Sequence, residues 1–284
     1  MEVTTGKQPV WPIPGSMIDN DWWTQRADMP GTVRNAATGF PVGNKGYITT
    51  GYNPDQKYLA DTWEYDPETN TWRQMDDFKG GARYYALGFG IDNYGYVGTG
   101  YNDNYLKDFY RFDPTAAAGS QWTIVNGFGG QKRQGATAFV IDGKAYVCGG
   151  QNNNSDVSDF WRFDPSAATP WTQLRDIANT SDDDYDDDYT SIVRSYGVSF
   201  VIGGKAYLTL GSTAGGSYYS NYWIYDPETD LWEGDDLTAF EGSTRIHAVC
   251  FSTGTRGIIA TGGSGSSSYF DDTWELKPYE YEEE

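Results

Sequence analysis

The sequence has little of what several common protein classes require. It contains one histidine and two cysteines among 284 residues, and only 20 basic residues against 40 acidic ones. It has no apolar run of about 18 residues, the length that a membrane-spanning helix needs, and no stretch of helical periodicity longer than a loop. These absences argue against a membrane span. The net charge of −20 argues against a nucleic acid or an anionic membrane as the partner.

What the sequence does have is an internal repeat. Five arginines recur in one frame at spacings of 49, 50, 61 and 51 residues, and a phenylalanine follows each arginine six positions later. The arginines are Arg34, Arg83, Arg133, Arg194 and Arg245. A fixed internal period of this length is typical of repeat architectures. We therefore interpret the chain as five copies of one small unit.

Each unit predicts four short antiparallel strands. The first strand ends at a polar turn such as Asp142-Gly143-Lys144, the second strand closes on glycine, and an aspartate such as Asp159 opens the third in most units. A tryptophan strand follows in four copies, with Trp72, Trp122, Trp171 and Trp232. Short runs rich in Tyr, Trp, Phe and Val between Gly, Asp and Pro turns are typical of β-strands.

The unit resembles the Kelch repeat, which has a glycine doublet at the end of its second strand and a tryptophan in its fourth. The doublet is intact at Gly149-Gly150 and Gly262-Gly263 and is reduced to one glycine in the other units. The resemblance covers about residues 21–276. It implies an all-β fold, a five-bladed β-propeller of four-stranded antiparallel blades. A ring with a further blade outside this sequence is the alternative.

The repeat frame also predicts boundaries and ring closure. The fifth unit stops after its third strand, whereas Asp21-Trp22-Trp23-Thr24 lies one period before Trp72, so we expect the N-terminal strand to complete the last blade. We assign an N-terminal extension, one propeller domain and an acidic tail, at residues 1–20, 21–276 and 277–284. The predicted blade cores are about residues 34–74, 83–124, 133–174, 194–234, and 245–276 together with 21–25.

The long loops of one face form the predicted binding surface, which we call the upper face. These loops join second to third strands and one blade to the next, and long loops on a rigid scaffold often carry recognition. The arginines enter from the same side, so we expect them around the channel mouth. Either each arginine binds the aspartate that opens a third strand, or the five together receive a carboxylate, sulfate or phosphate. The candidate ligand-binding residues are the five arginines with Tyr52, Tyr101, Phe78, Phe128 and Phe240.

We predict a non-catalytic binding or scaffold propeller whose partner is a protein or a glycan. No inner strand contains Asp or Glu, which disfavours catalysis by paired carboxylates, although loop acids such as Asp103 or Asp156 could reach inward. The resemblance offers an alternative, a sugar-acid mutarotase of the sialic-acid type or another carbohydrate-active Kelch enzyme, in which the arginines would clamp the substrate carboxylate. Copper-radical oxidases of the Kelch type need two histidines, and this chain has only His247, which we interpret as a packed ring.

We predict neither a cofactor nor a metal site. Cys148 and Cys250 fall in different units and are interpreted as buried free thiols. The acidic run at residues 182–188 lacks a glycine-hinged loop with spaced ligands, so it supplies only weak calcium candidates. These candidates are Asp182, Asp184 and Asp186. We expect a monomer. The resemblance to bacterial Kelch proteins favours an extracytoplasmic location, although no secretory signal is visible.

Overall fold

The computed structural model describes residues 26–234, 239–252, 255–265 and 268–278. Within these ranges the chain is all-β apart from one short 3-10 helix, Asp184–Asp186. No helix in the same ranges is long and apolar enough to cross a membrane. The N-terminal strand predicted at residues 21–25 lies outside the described residues and stays a prediction.

Five antiparallel sheets follow one another along the chain, one for each sequence repeat. Their strands are Thr38–Val42, Lys45–Thr49, Thr62–Asp66 and Thr71–Met75 in blade 1; Leu87–Ile91, Tyr94–Gly98, Phe109–Phe112 and Trp122–Val125 in blade 2; Thr137–Ile141, Lys144–Cys148, Trp161–Phe163 and Trp171–Gln173 in blade 3; Val198–Ile202, Lys205–Thr209, Tyr222–Asp226 and Leu231–Glu233 in blade 4; and Val249–Ser252, Gly257–Ala260 and Thr273–Leu276 in blade 5. The predicted five-bladed propeller is confirmed.

Three of the loops between second and third strands contain a short β-hairpin. They pair Tyr52–Asn53 with Lys57–Tyr58, Gln151–Asn152 with Ser155–Asp156, and Gly263–Ser264 with Ser268–Tyr269. These hairpins stiffen the upper face, because they replace open loop with backbone hydrogen bonds.

Aromatic side chains hold neighbouring blades together. The ring of Phe40 in blade 1 lies against Phe112 and Trp122 of blade 2, with centroid separations of 5.9 and 6.3 Å. The equivalent phenylalanines of blades 2, 3 and 4 are likewise buried, whereas Phe251 in blade 5 is 55% exposed. Burying such a side chain contributes about 1.5–3 kcal/mol, so the repeated phenylalanine explains much of the packing between blades.

Blades 4 and 5 enclose a cavity of about 230 Å³, here the blade 4–5 cavity. Its lining includes Phe200 and Tyr222. At the preceding blade boundary the corresponding space is filled, since Trp232 of blade 4 lies 5.5 Å from Phe160 of blade 3. The cavity therefore marks the place where the described part of blade 5 has no tryptophan strand.

The glycine that ends each second strand allows two blades to approach. In blade 2 the backbone N–H of Gly100 donates to the carbonyl of Arg133 in blade 3 at 2.8 Å. Gly100 has a φ of +93°, and a Cβ there would lie 2.9 Å from the carbonyl oxygen of Tyr84. The same bond recurs from Gly51, Gly150 and Gly211 to the next arginine. A side chain would therefore break the junction, which explains the repeated glycine.

Candidate functional site: an aromatic cup over the axis

The floor of the candidate site is built from the positions two residues after each arginine. Tyr85, Tyr196 and His247 come from blades 2, 4 and 5, and their rings meet at centroid separations of 4.8, 5.3 and 4.9 Å. Side chains of blades that are not neighbours in the ring can meet only across the axis. All three residues have a left-handed backbone, with φ of 52°, 58° and 58°. Such values are uncommon outside glycine, and here they occur in one register in all five blades, since Ala36 and Gly135 have φ of 50° and 64°.

The floor is uncharged near neutral pH. Burial raises the pKa of Tyr85 and of Tyr196 and lowers the pKa of His247, so the phenols stay protonated and the imidazole stays neutral. The hydroxyl oxygen of Tyr196 accepts hydrogen bonds from the side-chain amides of Gln134 and Gln151, at 3.0 and 2.7 Å. The floor therefore consists of ring surfaces without a formal charge, and two amides fix the hydroxyl of Tyr196.

The wall of the site comes from the residue directly after each arginine and from its bridged partner on the next loop. The pairs are Asn35 with Tyr52, Tyr84 with Tyr101, Gln134 with Gln151, Ser195 with Ser212, and Ile246 with Gly263. Their side chains change around the ring: blades 1 and 2 contribute tyrosines, blade 3 two amides, blade 4 two serines, and blade 5 an isoleucine and a glycine. We call the floor and wall together the cup. Large side chains form its wall at blades 1 and 2, which we call the tall side. The wall is lower at blade 5, which we call the open side.

Five tyrosines form the tall side, which we call the tyrosine strip. Its members are Tyr52, Tyr58, Tyr84, Tyr101 and Tyr105. Tyr84 lies at its centre, 5.6 Å from Tyr58 in a nearly parallel stack and 5.7 Å from Tyr101 in an edge contact. The strip is rigid because each ring packs on another, and aromatic pairs of this kind contribute about 0.5–1.5 kcal/mol each.

The open side of the cup contains a pocket of about 400 Å³ above His247. Tyr269 and Phe270 line it from the loop of blade 5, and Gly262 and Gly263 also belong to its lining. Pockets for small molecules occupy about 300–1,000 Å³ and combine apolar walls with a few polar groups. The volume of this pocket lies within that range, and its lining combines aromatic rings with a histidine.

The predicted arginines lie within their own blades. In blade 2, Arg83 donates to both carboxylate oxygens of Asp108, at 2.5 and 2.8 Å, and to the carbonyl of Thr99 at 2.9 Å. The same pairing joins Arg34 to Asp61, Arg133 to Asp159 and Arg245 to Asp272. In blade 4, Arg194 instead donates to the side-chain oxygen of Asn221 at 3.1 Å. These are the contacts of the structural interpretation, and the guanidinium groups are buried.

The three predicted phenylalanines each cover one arginine. The guanidinium carbon of Arg83 lies 4.9 Å from the ring centroid of Phe78, and that of Arg133 lies 4.7 Å from Phe128. Phe240 has the same position near Arg245 at 5.5 Å. Phe78 and Phe128 are each 2% exposed. This geometry places the arginines and these phenylalanines in the scaffold below the cup.

The loop acids that could have reached inward are occupied by protein groups. Asp103 accepts a hydrogen bond from the hydroxyl of Tyr58 at 2.7 Å, and this bond raises the pKa of Tyr58 to about 12. Asp156 accepts the backbone N–H of Ala214 with both oxygens, at 2.8 and 3.0 Å. Within the described ranges, no group of three or more His, Cys, Asp or Glu side chains is placed to hold a metal ion.

The acidic run folds on itself. Asp186, one of the weak calcium candidates, is buried and accepts hydrogen bonds from the backbone N–H groups of Thr180 and Ser181, at 2.9 and 3.0 Å. The other two candidates, Asp182 and Asp184, are exposed. The inward turn of Asp186 separates it from them and gives it a role in closing the loop.

Of the residues predicted from the sequence, the structure brings Tyr52 and Tyr101 into the cup. It adds Tyr84, Tyr85 and Tyr196, which the sequence analysis did not assign. The missed signal lies in the repeat frame, because the two positions after each arginine change from unit to unit while the arginine does not.

Comparisons with known proteins agree with the repeat. The family profile described as Kelch motif matches residues 41–79 and 132–174, which lie in blades 1 and 3. A solved structure described as "Structure of YjhT" superposes with a TM-score of 0.72 at 16% identity, over 88% of this chain and 83% of that chain. No curated protein matches the sequence. At this identity the likeness supports the fold alone.

Proposed function

Because the chain is a Kelch-repeat β-propeller, we propose that it is a non-catalytic carbohydrate-binding protein whose ligand occupies the cup of the upper face. The observation that carries the proposal is the tyrosine strip beside an uncharged floor. Tyrosine rings offer flat apolar faces for the C–H face of a sugar ring and a hydroxyl for its polar edge. Gln134 and Gln151 add amide groups at the cup centre.

The same geometry gives less support to catalysis. A mutarotase acting on a sugar acid would need an exposed arginine clamp, whereas the arginines described above are buried against aspartate, asparagine and backbone carbonyls. Asp103 and Asp156 are held by Tyr58 and Ala214, which leaves neither of these two loop acids free to act as one half of a carboxylate pair. A glycan ligand also fits the extracytoplasmic location expected from the sequence.

Binding to a glycan array tests the proposal, with Tyr84→Ala as the informative variant. Its control is Tyr94→Ala, a half-buried tyrosine of the same blade at the opposite face. We expect Tyr84→Ala to weaken glycan binding about 3- to 10-fold, the worth of one aromatic contact, and Tyr94→Ala to leave binding unchanged.

Two results would contradict the proposal. If no glycan on the array binds, the glycan proposal fails and a protein is the remaining predicted partner of the upper face. Equal losses in the two tyrosine variants would show that stability, and not the cup, governs binding. A proton-NMR assay of sugar anomers run beside the array reports on the enzymatic alternative, because faster interconversion with the protein present would establish turnover.

A further inference from the structure

Two lysines face each other where blades 2 and 3 join at the upper face. Leu106 and Arg133 form an antiparallel bridge, and the N–H of Arg133 donates to the carbonyl of Leu106 at 3.0 Å. One step further along this register places Lys107 opposite Lys132, and both residues are exposed. Like charges directly opposite each other across an antiparallel pair destabilise it. The two lysines therefore do not stabilise the fold by facing each other.

The other blade junctions show that the scaffold does not need lysine here. The carbonyl of Lys107 accepts the N–H of Phe128 at 2.8 Å, and the same bond occurs in blades 1, 3 and 4, with Ala60, Ser158 and Ser220 as acceptors. The residues that precede the arginines of those junctions are Ala82, Val193 and Thr244. Of these four junctions, only that between blades 2 and 3 has a charge at either position.

A pocket of about 420 Å³ opens at this junction, and both lysines line it. Asp108 is the one acidic residue of its lining, and Arg83 holds both of its carboxylate oxygens. The positive charge of the lysines is therefore not balanced within the pocket. This is a local excess of positive charge on a chain whose net charge is −20.

The pocket continues the tyrosine strip. Tyr105 lines it, and its ring lies 5.1 Å from Tyr101 in an edge contact. Asn152 also lines the pocket and adds a polar side chain to it. An anionic substituent on a sugar bound in this pocket would meet the lysines.

We propose that this pocket receives a carboxylate or sulfate carried by a sugar ring, so that the upper face recognises an acidic glycan. The inference rests on the proposed carbohydrate-binding function and adds its substrate class. Lysine ammonium groups bind such anions as point charges. The tyrosine strip would carry the neighbouring sugars of the same chain.

The test compares wild-type protein with the double variant Lys107→Ser and Lys132→Val, which installs the residues of the blade 3–4 junction. The probes are polygalacturonate against its methyl ester and dextran sulfate against dextran, so that each pair differs in its anionic groups. We expect wild-type protein to prefer one acidic member by about tenfold or more, the effect of one charged hydrogen bond. This preference should decrease as salt is added.

The double variant should lose the preference, keep any binding to the neutral probe, and unfold at the same or a higher urea concentration. Preference for polygalacturonate alone identifies a carboxylate, and preference for dextran sulfate alone identifies a sulfate. Equal binding of charged and neutral probes by wild-type protein, or a preference that survives in the double variant, would overturn this inference and leave glycan binding intact. Binding to no glycan in either experiment would remove the proposed function as well.

Discussion

Replacing Asn221 by Asp should stabilise the protein. In the other four blades a carboxylate faces the buried arginine, whereas in blade 4 Arg194 donates to the amide oxygen of Asn221 and to backbone carbonyls. Ser191 accepts a hydrogen bond from the Asn221 amide at 2.5 Å, and its hydroxyl can donate to a carboxylate instead. The substitution is therefore compatible with its surroundings.

The magnitude follows from the cost of burying Arg194 as a cation. Burial lowers the pKa of Arg194 from 12.5 to about 10, a difference that corresponds to about 3 kcal/mol. An aspartate would recover part of this free energy, and its own desolvation would offset part of the gain. We expect a net stabilisation of about 1–2 kcal/mol.

Urea unfolding at neutral pH measures the effect as a higher midpoint with an unchanged m-value. The gain should also depend on pH. The hydrogen bond from Arg245 lowers the pKa of Asp272 to about 2, below the ordinary value of 3.8. We expect Arg194 to lower the pKa of the new aspartate at position 221 in the same way. A carboxyl whose pKa is lowered by folding stabilises the protein above its unfolded pKa. The difference between variant and wild type should therefore be complete above about pH 5 and shrink towards pH 2.

The reverse substitution is the matched control. Asp159→Asn leaves Arg133 buried without its carboxylate and should destabilise the protein by about 3 kcal/mol. If Asn221→Asp were no more stable than wild type at neutral pH, or if its gain persisted unchanged at low pH, the ion pair would not be what satisfies the buried arginine. The scaffold role of the other four pairs would then lose its energetic basis.

Two further predictions concern the centre of the ring and its predicted closure by the N-terminal strand. Gly135→Ala should destabilise the protein by about 1–3 kcal/mol, because the added Cβ would lie 2.5 Å from the Tyr196 ring. Gly143→Ala is its control in thermal melting, since Gly143 also has a positive φ but has nothing within 4 Å, and equal losses would refute the packing argument. If the predicted closing strand fills the blade 4–5 cavity, Trp22→Ala or Trp23→Ala should cost about 3–5 kcal/mol in urea unfolding. Unchanged midpoints in both variants would count against that closure.

The architecture could be predicted from the sequence because a propeller blade is a local structure. The strand predicted around residues 159–163 appears as Trp161–Phe163, and the predicted turn Asp142-Gly143-Lys144 connects the first two strands of blade 3. Each of these elements is decided by turn residues and by alternation within about ten positions. The hairpins within the upper loops were not predicted, since pairs such as Gln151–Asn152 with Ser155–Asp156 have no alternating pattern.

The cup could not be predicted in the same way, because its residues come together only across the axis. Tyr85 and Tyr196 are more than a hundred positions apart, and each has a left-handed φ that its residue type does not signal. The role of the arginines stayed open for a related reason. An aspartate such as Asp108, which lies 25 positions after Arg83, becomes its partner only when the third strand is placed.

In a ring of repeated units, the residues that every unit shares can be distinguished from the residues that recognise a ligand. Residues that occur in all five units, such as the arginines, satisfy a need that every blade shares, and they would present the same surface five times around the axis. A glycan has no fivefold symmetry, so it must be recognised by positions where the units differ. The cup and the pair Lys107 and Lys132 both lie at such positions, directly beside the repeated residues. Substitutions that copy one blade into another, as in the lysine double variant, should therefore change binding while they leave folding intact.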